Sequence, residues 1–449
     1  MKRIIYQALV RLWGKGRLDS WDNKSLSYLK ELGVDYLWLT GIARHASGKS
    51  FVKGDPGCPY SISDWYDINP YLESKDSERF EEFGRLVKRI HRSGLKLLID
   101  FIPNHVARDY EGPLPHYDYC DGDWTDTLKL NWEDPSTLEQ MKAVLRFWAA
   151  KGVDGFRCDM VELVRSDAQR ELIRDIKKDY PDCLFVAEVY DRKRYREFSE
   201  YVGYDLLYDK CGLYDILFGI SKGWTSPRSI TRNWQSLSGL QGRMLNFLEN
   251  HDEVRLASGD FAASAQKGYA ALGVSMLFND ASFMLYFGQE VGENAAESRN
   301  CRTSIFDFTR PEGISALYRS LHSKSASPSI LGEEREAILN KYRSLLAYAR
   351  LKEFREGGCW DLCYCNEKTS PEGFNPDSHF AFVRYSLPSD KGKGRAFLVV
   401  CNFSSATLKC SVSIPSELSQ ACRMNLPGST AVSVPGYDVF VTKLPTEAF

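Results

Sequence analysis

The chain has 449 residues, 43% hydrophobic and 26% charged, an ordinary globular composition with ample length for a large core. Its 58 basic and 60 acidic side chains leave a formal net charge of −2, so no bulk field points toward nucleic acid or an anionic membrane surface. No window reaches the ~18 apolar residues that a membrane span requires, and neither kind of partner is expected.

The N-terminus, MKRIIYQALVRLWGKGR, is basic with a short apolar run. Arg11 and Trp13 interrupt that run, so it reads as a first buried strand rather than a secretory signal; a cytoplasmic location is the expectation. A unit of helix, glycine and strand then recurs. In SLSYLKELGVDYLWLTG, Leu26, Leu29 and Leu32 form a helical stripe, Gly33 ends it and VDYLWL is a strand. Phe80, Phe83, Val87 and Ile90 make the next stripe, closed by Gly94 before LKLLIDFI. Asp134 is an N-cap and Pro135 suits the first helical position. The stripe of Leu138, Met141, Leu145 and Trp148 follows, Gly152 stops it and VDGFRCD is the strand. A fourth round ends in LFVAEV, and YDLLYD, RMLNFL and FMLYFG complete a count of eight, the barrel number. Near-continuous apolar strands alternating with helices belong to a parallel α/β sheet; periodicity alone leaves an open doubly wound sheet as the alternative.

The segment 106–132 is polar, aromatic and rich in Asp, Gly and Pro, the character of an elaborated loop that shapes a site. After about residue 355 the pattern changes to FAFVRYS, RAFLVVCNFS, KCSVSI and YDVFVTKL, joined by turn-rich connections. The expected organisation is therefore a (β/α)8 TIM barrel over 1–354, with a short insertion at 106–132 after strand three, and a C-terminal all-β antiparallel sandwich over 355–449. The twelve cysteines are scattered; Cys359, Cys363 and Cys365 lie in a C-x3-C-x-C spacing, unlike that of structural zinc, and free thiols are expected.

In a barrel, catalytic groups lie at the C-terminal ends of strands. Those positions hold Asp100, Asn104 and His105 after strand three, Arg157 and Asp159 at strand four, Glu188 at strand five, His251 and Asp252 after strand seven, and Gln289 and Glu290 after strand eight. Arg157 and Asp159 are two apart and point to the same side of a strand, so the guanidinium is expected to lower the pKa of Asp159, as a nucleophile needs. Glu188 sits among Val186, Ala187 and Val189, where desolvation raises a carboxyl toward a general acid. One low and one raised carboxyl is a glycosidase pairing. Each group also has a bland reading: Asp100 with Arg157 as a structural ion pair, the histidines as hydrogen-bonded structural residues, Asp252 as a helix cap, Glu188 as a rim charge. Tyr60, Trp65, Trp124 and Trp132 serve equally as loop packing or as sugar platforms. The combination at four strand ends favours function.

DFIPNH (100–105), GFRCD (155–159), VAEV (186–189) and FLENHD (247–252) resemble, in order, the four signature regions of the α-amylase family, glycoside hydrolase family 13. PYSISDWYDINP, LNWEDP and FGQEVGE support the resemblance, which covers essentially the whole chain. It implies Asp159 as nucleophile, Glu188 as acid/base and Asp252 as the carboxylate that grips the sugar whose bond is cut. It further implies that His105 and His251 hydrogen-bond that sugar, Tyr60 stacks on it, Arg157 orients Asp159 and Asp100 holds Arg157. Asn104 matches a position that ligates calcium in many relatives, but the partners that complete such a site are absent, and Glu162 and Leu163 stand where those relatives carry Lys-His. No metal or other cofactor is expected, with calcium kept as the alternative.

The implied activity is hydrolysis of α-1,4 bonds in starch, glycogen or maltooligosaccharides through a covalent intermediate. A 4-α-glucanotransferase and an α-1,6- or exo-acting glucosidase are the rivals within the family. A non-catalytic glucan-binding relative is the rival of another class, and retention of all three carboxylates weighs against it. The sequence leaves oligomeric state open.

Overall fold

The computed structural model describes residues 1–74, 79–294, 303–323, 330–367, 373–389 and 392–448. Eight parallel strands close into a barrel: β1 (Ile4–Leu9), β2 (Tyr36–Thr40), β3 (Lys96–Phe101), β4 (Gly155–Cys158), β5 (Leu184–Ala187), β6 (Leu206–Tyr208), β7 (Met244–Asn246) and β8 (Ser282–Tyr286). Each strand pairs with its neighbours in sequence, and β8 returns to β1 through Ile4–Phe283 and the three pairs that follow. Closure removes the open doubly wound alternative, which would leave two free edges. All eight strands fall on the apolar runs that announced them, β2 and β8 reaching one residue beyond theirs, at Thr40 and Ser282.

The helices between them follow their sequence signals. In α1 (Asn23–Leu32) the Asp22 side chain accepts the Ser25 N–H at 3.0 Å, and Gly33 ends the helix in the left-handed region. α2 (Arg79–Arg92) turns Phe83, Val87 and Ile90 inward. Asp134 caps α3 (Pro135–Ala150), which buries Met141, Leu145 and Trp148. α4 (Ser166–Asp179) buries Leu172, Ile173 and Ile176 and leads into β5. Gly155 opens β4 because a Cβ there would meet the Leu184 carbonyl oxygen at 2.3 Å and the Leu98 side chain at 2.6 Å. That close approach fixes how β4 sits between β3 and β5.

The insertion after β3 is built on a short antiparallel pair, His105–Ala107 with Thr127–Lys129. Further on, a four-stranded antiparallel sheet runs in the order β9 (Gly358–Asp361), β10 (His379–Ser386), β11 (Arg395–Asn402), β14 (Val439–Lys443); β12 (Leu408–Ser413) pairs with β13 (Ser429–Val434). Alternate burial of Leu408 and Val412, and of Val432 and Val434, shows that one face of that second pair is covered. The region is not all β, as expected from sequence: a helix, Ser416–Cys422, joins β12 to the strands that follow. Phe278 packs edge-on against Phe380 and Phe382, at 4.9 and 5.1 Å between ring centroids, and ties the barrel to this sheet. The described cysteines are free. No helix among the described residues is long and apolar enough to cross a membrane.

Candidate active site

The barrel register brings the signature residues together. Asp100 pairs with Arg157 in the β3–β4 ladder, and Cys158 pairs with Ala187 in the β4–β5 ladder. The ladder continues past the strand ends, with Asp159 N–H on the Phe101 carbonyl at 2.9 Å and Glu188 N–H on the Cys158 carbonyl at 3.0 Å. Asp159 and Glu188 therefore leave neighbouring strands at one level.

Between them sits Arg157, fully buried. Its Nη1 donates to Asp159 Oδ1 at 2.5 Å, and its Nη2 lies 2.5 Å from Glu188 Oε1. The second contact is one of charge rather than a directed hydrogen bond, since Nη2 has no hydrogen-bond partner. Asp100 Oδ1 stands farther off, at 3.7 Å from Nη1, and accepts from the Tyr60 hydroxyl at 3.3 Å, while its Oδ2 accepts from Trp38 Nε1 at 3.1 Å. One guanidinium thus serves both Asp159 and Glu188, where the sequence reading paired it with Asp159 and Asp100 and not with Glu188.

Burial dominates the electrostatics. It raises the Glu188 carboxyl to about 7, against the lowering charge of Arg157 and with help from Asp159 and Asp252. It also raises Asp159 above the usual aspartate value, although Arg157 opposes it. The expected lowering of Asp159 is therefore corrected: removing water from the carboxylate outweighs one adjacent cation. Asp100 is raised by the same cause. Burial pulls His105 down to about 4, leaving a neutral imidazole at neutral pH.

Six of the sequence candidates (Tyr60, His105, Asp159, Glu188, His251 and Asp252) line one cavity of about 340 Å³. His251 is held from behind, its Nδ1 2.9 Å from Gln7 Nε2. An amide N–H there leaves the ring proton on Nε2, which faces Asp252 Oδ2 at 3.0 Å. Tyr60 stacks on the His251 ring at 4.9 Å. Arg157 and Asp100 lie beneath the cavity. Asn104 stays outside it, its Nδ2 donating to Asp121 Oδ2 at 2.8 Å and its backbone carbonyl accepting from Leu130 N–H, so that it braces the insertion.

Other rim candidates part company. Trp124 lines the cavity with its ring 5.4 Å from His105, whereas Trp65 is buried against Phe101 and Trp132 donates to the Pro103 carbonyl. Glu290 is not at the rim but wholly buried, its Oε1 accepting from the Tyr6 and Tyr28 hydroxyls at 2.7 and 2.9 Å. Sequence reasoning missed Met160 and Tyr190, which both donate to Glu188, as well as the wall residues Lys53, Asp126 and Phe306. Strand alternation from Glu188 was the one available signal for Tyr190. The wall residues lie on irregular loops, where no periodicity marks them.

A barrel with paired carboxylates sharing a cation at the C-terminal ends of β4 and β5 defines the class: a glycoside-hydrolase-type (β/α)8 enzyme. The family model described as "Alpha amylase, catalytic domain" matches residues 16–126 and 115–205. Alpha-amylase 3 of Dictyoglomus thermophilum is 24% identical over 353 residues, covering 68% of this chain and 67% of that one. The 4-alpha-glucanotransferase of Thermotoga maritima is 25% identical over 334 residues, covering 64% and 71%. Among solved structures, the cyclic alpha-maltosyl-(1→6)-maltose hydrolase of Arthrobacter globiformis superposes with a TM-score of 0.73 at 17% identity, over 99% of this chain and 98% of that one. Residues 16–205 thus resemble the alpha-amylase catalytic domain, and the relatives similar to the chain over about two thirds of its length are an alpha-amylase and a 4-alpha-glucanotransferase.

Proposed function

We propose that the protein is a retaining hydrolase of α-1,4-glucosidic bonds in starch, glycogen or maltooligosaccharides. The observation that carries this reading is the shared guanidinium of Arg157, which keeps Asp159 and Glu188 on its two terminal nitrogens. Retaining glycosidases need carboxyls only ~5–5.5 Å apart, whereas inverting ones need ~6.5–9.5 Å to admit a water. Two carboxylates on one guanidinium suit the shorter spacing.

Asp159 attacks the anomeric carbon as the bond to the leaving oxygen breaks, and Glu188 gives its proton to that oxygen. A pKa of about 7 keeps much of Glu188 protonated in neutral solution. Once Asp159 is an ester its charge is gone, so the repulsion that helps hold Glu188 protonated falls away. Glu188 then takes the proton of a water that cleaves the ester. Asp252 accepts hydroxyls of the bound sugar, with His251 Nε2–H oriented toward the same oxygen. Neutral His105 contributes hydrogen bonding rather than charge, and Tyr60, already stacked on His251, offers the wall against which the sugar ring rests.

The residues at Asn104 do not fit calcium. Its Oδ1 is buried without a hydrogen-bond partner, but the Asp121 carboxylate beside it is taken by the Asn104 amide and, at 2.9 Å, by the Lys129 ammonium. Calcium requires six to eight oxygen ligands, and no group of three or more His, Cys, Asp or Glu among the described residues could hold a metal. No step of the proposed activity is routed through a metal at Asn104.

Incubation with maltoheptaose in the absence of calcium, with every chain length followed by chromatography and Asp159→Asn as control, tests the proposal. Products only shorter than the substrate, absent with the variant, are expected. Products both longer and shorter would replace hydrolysis by transfer, the activity in the name of the Thermotoga maritima relative. No change even on soluble starch would remove α-1,4-glucan cleavage.

A further inference from the structure

Glu188 is held at both of its carboxyl oxygens. Tyr190, two residues on, lines the same cavity and donates its hydroxyl to Oε1 at 3.0 Å. Oε1 is also the oxygen 2.5 Å from Arg157 Nη2, whose contact carries charge but no directed bond. Tyr190 thus supplies the one side-chain hydrogen bond to Glu188 among the described residues. Oε2 has a different neighbour, the backbone N–H of Met160 at 2.9 Å. Met160 follows Asp159 directly and takes the left-handed conformation, φ 43° and ψ 47°, which a side-chain-bearing residue seldom adopts.

The two oxygens of Glu188 are therefore unlike. Oε1 faces a cation and a hydroxyl donor, so a proton there would meet both. Oε2 faces one amide and keeps a lone pair free. We infer that Tyr190 is a positioning residue for the acid/base step, fixing Oε1 as the acceptor and assigning the transferable proton to Oε2. In the forward step the Oε2–H bond breaks as the proton moves to the glycosidic oxygen, the C1–O bond breaks and the leaving hydroxyl departs neutral; in the second step Oε2 recovers a proton from water. Tyr190 neither gains nor loses a proton. Its bond to Oε1 holds the carboxyl plane in place while Oε2 turns over. This inference rests on the hydrolase reading above.

Tyr190→Phe removes the hydroxyl and keeps the ring. With maltoheptaose, whose leaving group needs protonation, kcat is expected to fall about tenfold with KM changed less than about twofold. Loss of a donor to the charged form raises the acid's pKa, so the alkaline limb of kcat/KM should move up by about one pH unit. With α-maltosyl fluoride, whose leaving group departs without a proton, kcat/KM, which reports formation of the glycosyl-enzyme alone, should stay near that of the unaltered enzyme. An unchanged thermal midpoint shows that the variant is folded. Equal losses in kcat/KM on both substrates, or an unmoved alkaline limb with maltoheptaose, would overturn the assignment to Tyr190. Failure of the unaltered enzyme on both substrates would instead remove the hydrolase reading on which it rests.

Discussion

Arg157→Met takes away the cation that two buried carboxylates share while roughly keeping side-chain volume. Breaking a buried pair by removing one partner typically costs ~3–5 kcal/mol, because a charge is left without compensation. Two groups lose their partner here, but the costs do not simply double. Glu188 already sits at about 7 with Arg157 present, and each further unit of upward shift costs only ~1.4 kcal/mol before the group turns neutral. Asp159 has the stronger claim on Arg157, since it alone receives a directed bond from Nη1, and it dominates the loss. A destabilisation of ~3–5 kcal/mol is expected at about pH 8, where both carboxyls would otherwise be ionised. Losing Arg157 raises the folded-state pKa values of both groups still further above their unfolded ones. Stability from such a group is present below the unfolded pKa, ~4 for both types, and is lost as pH rises through the folded pKa. The penalty should therefore shrink toward acid and widen as pH rises through about 7, where Glu188 ionises with Arg157 in place. Urea unfolding followed by tryptophan fluorescence, at several pH values, gives the difference between the two proteins directly. A penalty that is flat with pH, or larger in acid, would refute the claim that Arg157 acts by compensating Asp159 and Glu188.

Three more outcomes follow from the same geometry. Because Glu188 is raised to about 7, activity on maltooligosaccharides should fall as pH rises through that value; Glu188→Gln should cost ~10²–10⁴-fold and remove the limb in a pH–rate profile. Gly54 has φ +74°, and a Cβ there would lie 1.9 Å from the carbonyl oxygen of Phe306, a cavity wall residue; Gly54→Ala should displace that wall and raise KM in steady-state assays more than it lowers the thermal midpoint. The Lys129 ammonium on Asp121 makes added calcium or EDTA without effect on the midpoint, because a ligand shifts stability only by binding the folded state; Lys129→Met should lower the midpoint, and a calcium-dependent rise in the unaltered protein would contradict the assignment.

Local signals were sufficient for the eight strands, though not for their closure. The strands are apolar runs, α1 and α3 begin at the capping aspartates Asp22 and Asp134, and α1 ends at Gly33; such features depend only on residues a few positions apart. The same held for Glu188, since Val186, Ala187 and Val189 already announced a desolvated carboxyl. Where local signal was weak, elements were lost: Gly358–Asp361 is four residues of mixed character, Ser429–Val434 is half serine and threonine, and the helix Ser416–Cys422 sat among strands whose alternation masked it.

What only the tertiary structure decided depends on the alignment of segments distant in the chain. The β3–β4–β5 register sets Asp159 level with Glu188 and gives Arg157 to both. Burial, a property of the closed barrel rather than of any segment, reverses the expected shift of Asp159. Glu290 looked like a rim carboxylate because it follows β8, yet Tyr6 from β1 and Tyr28 from α1 enclose it. Lys129 reaches Asp121 only because the insertion folds back on itself as a pair of short strands. The sequence by itself determined which side chains the rim would present; closure of the barrel decided which of them share a charge, because electrostatic energies are set by distance and solvent exposure, and neither exists until the strands meet.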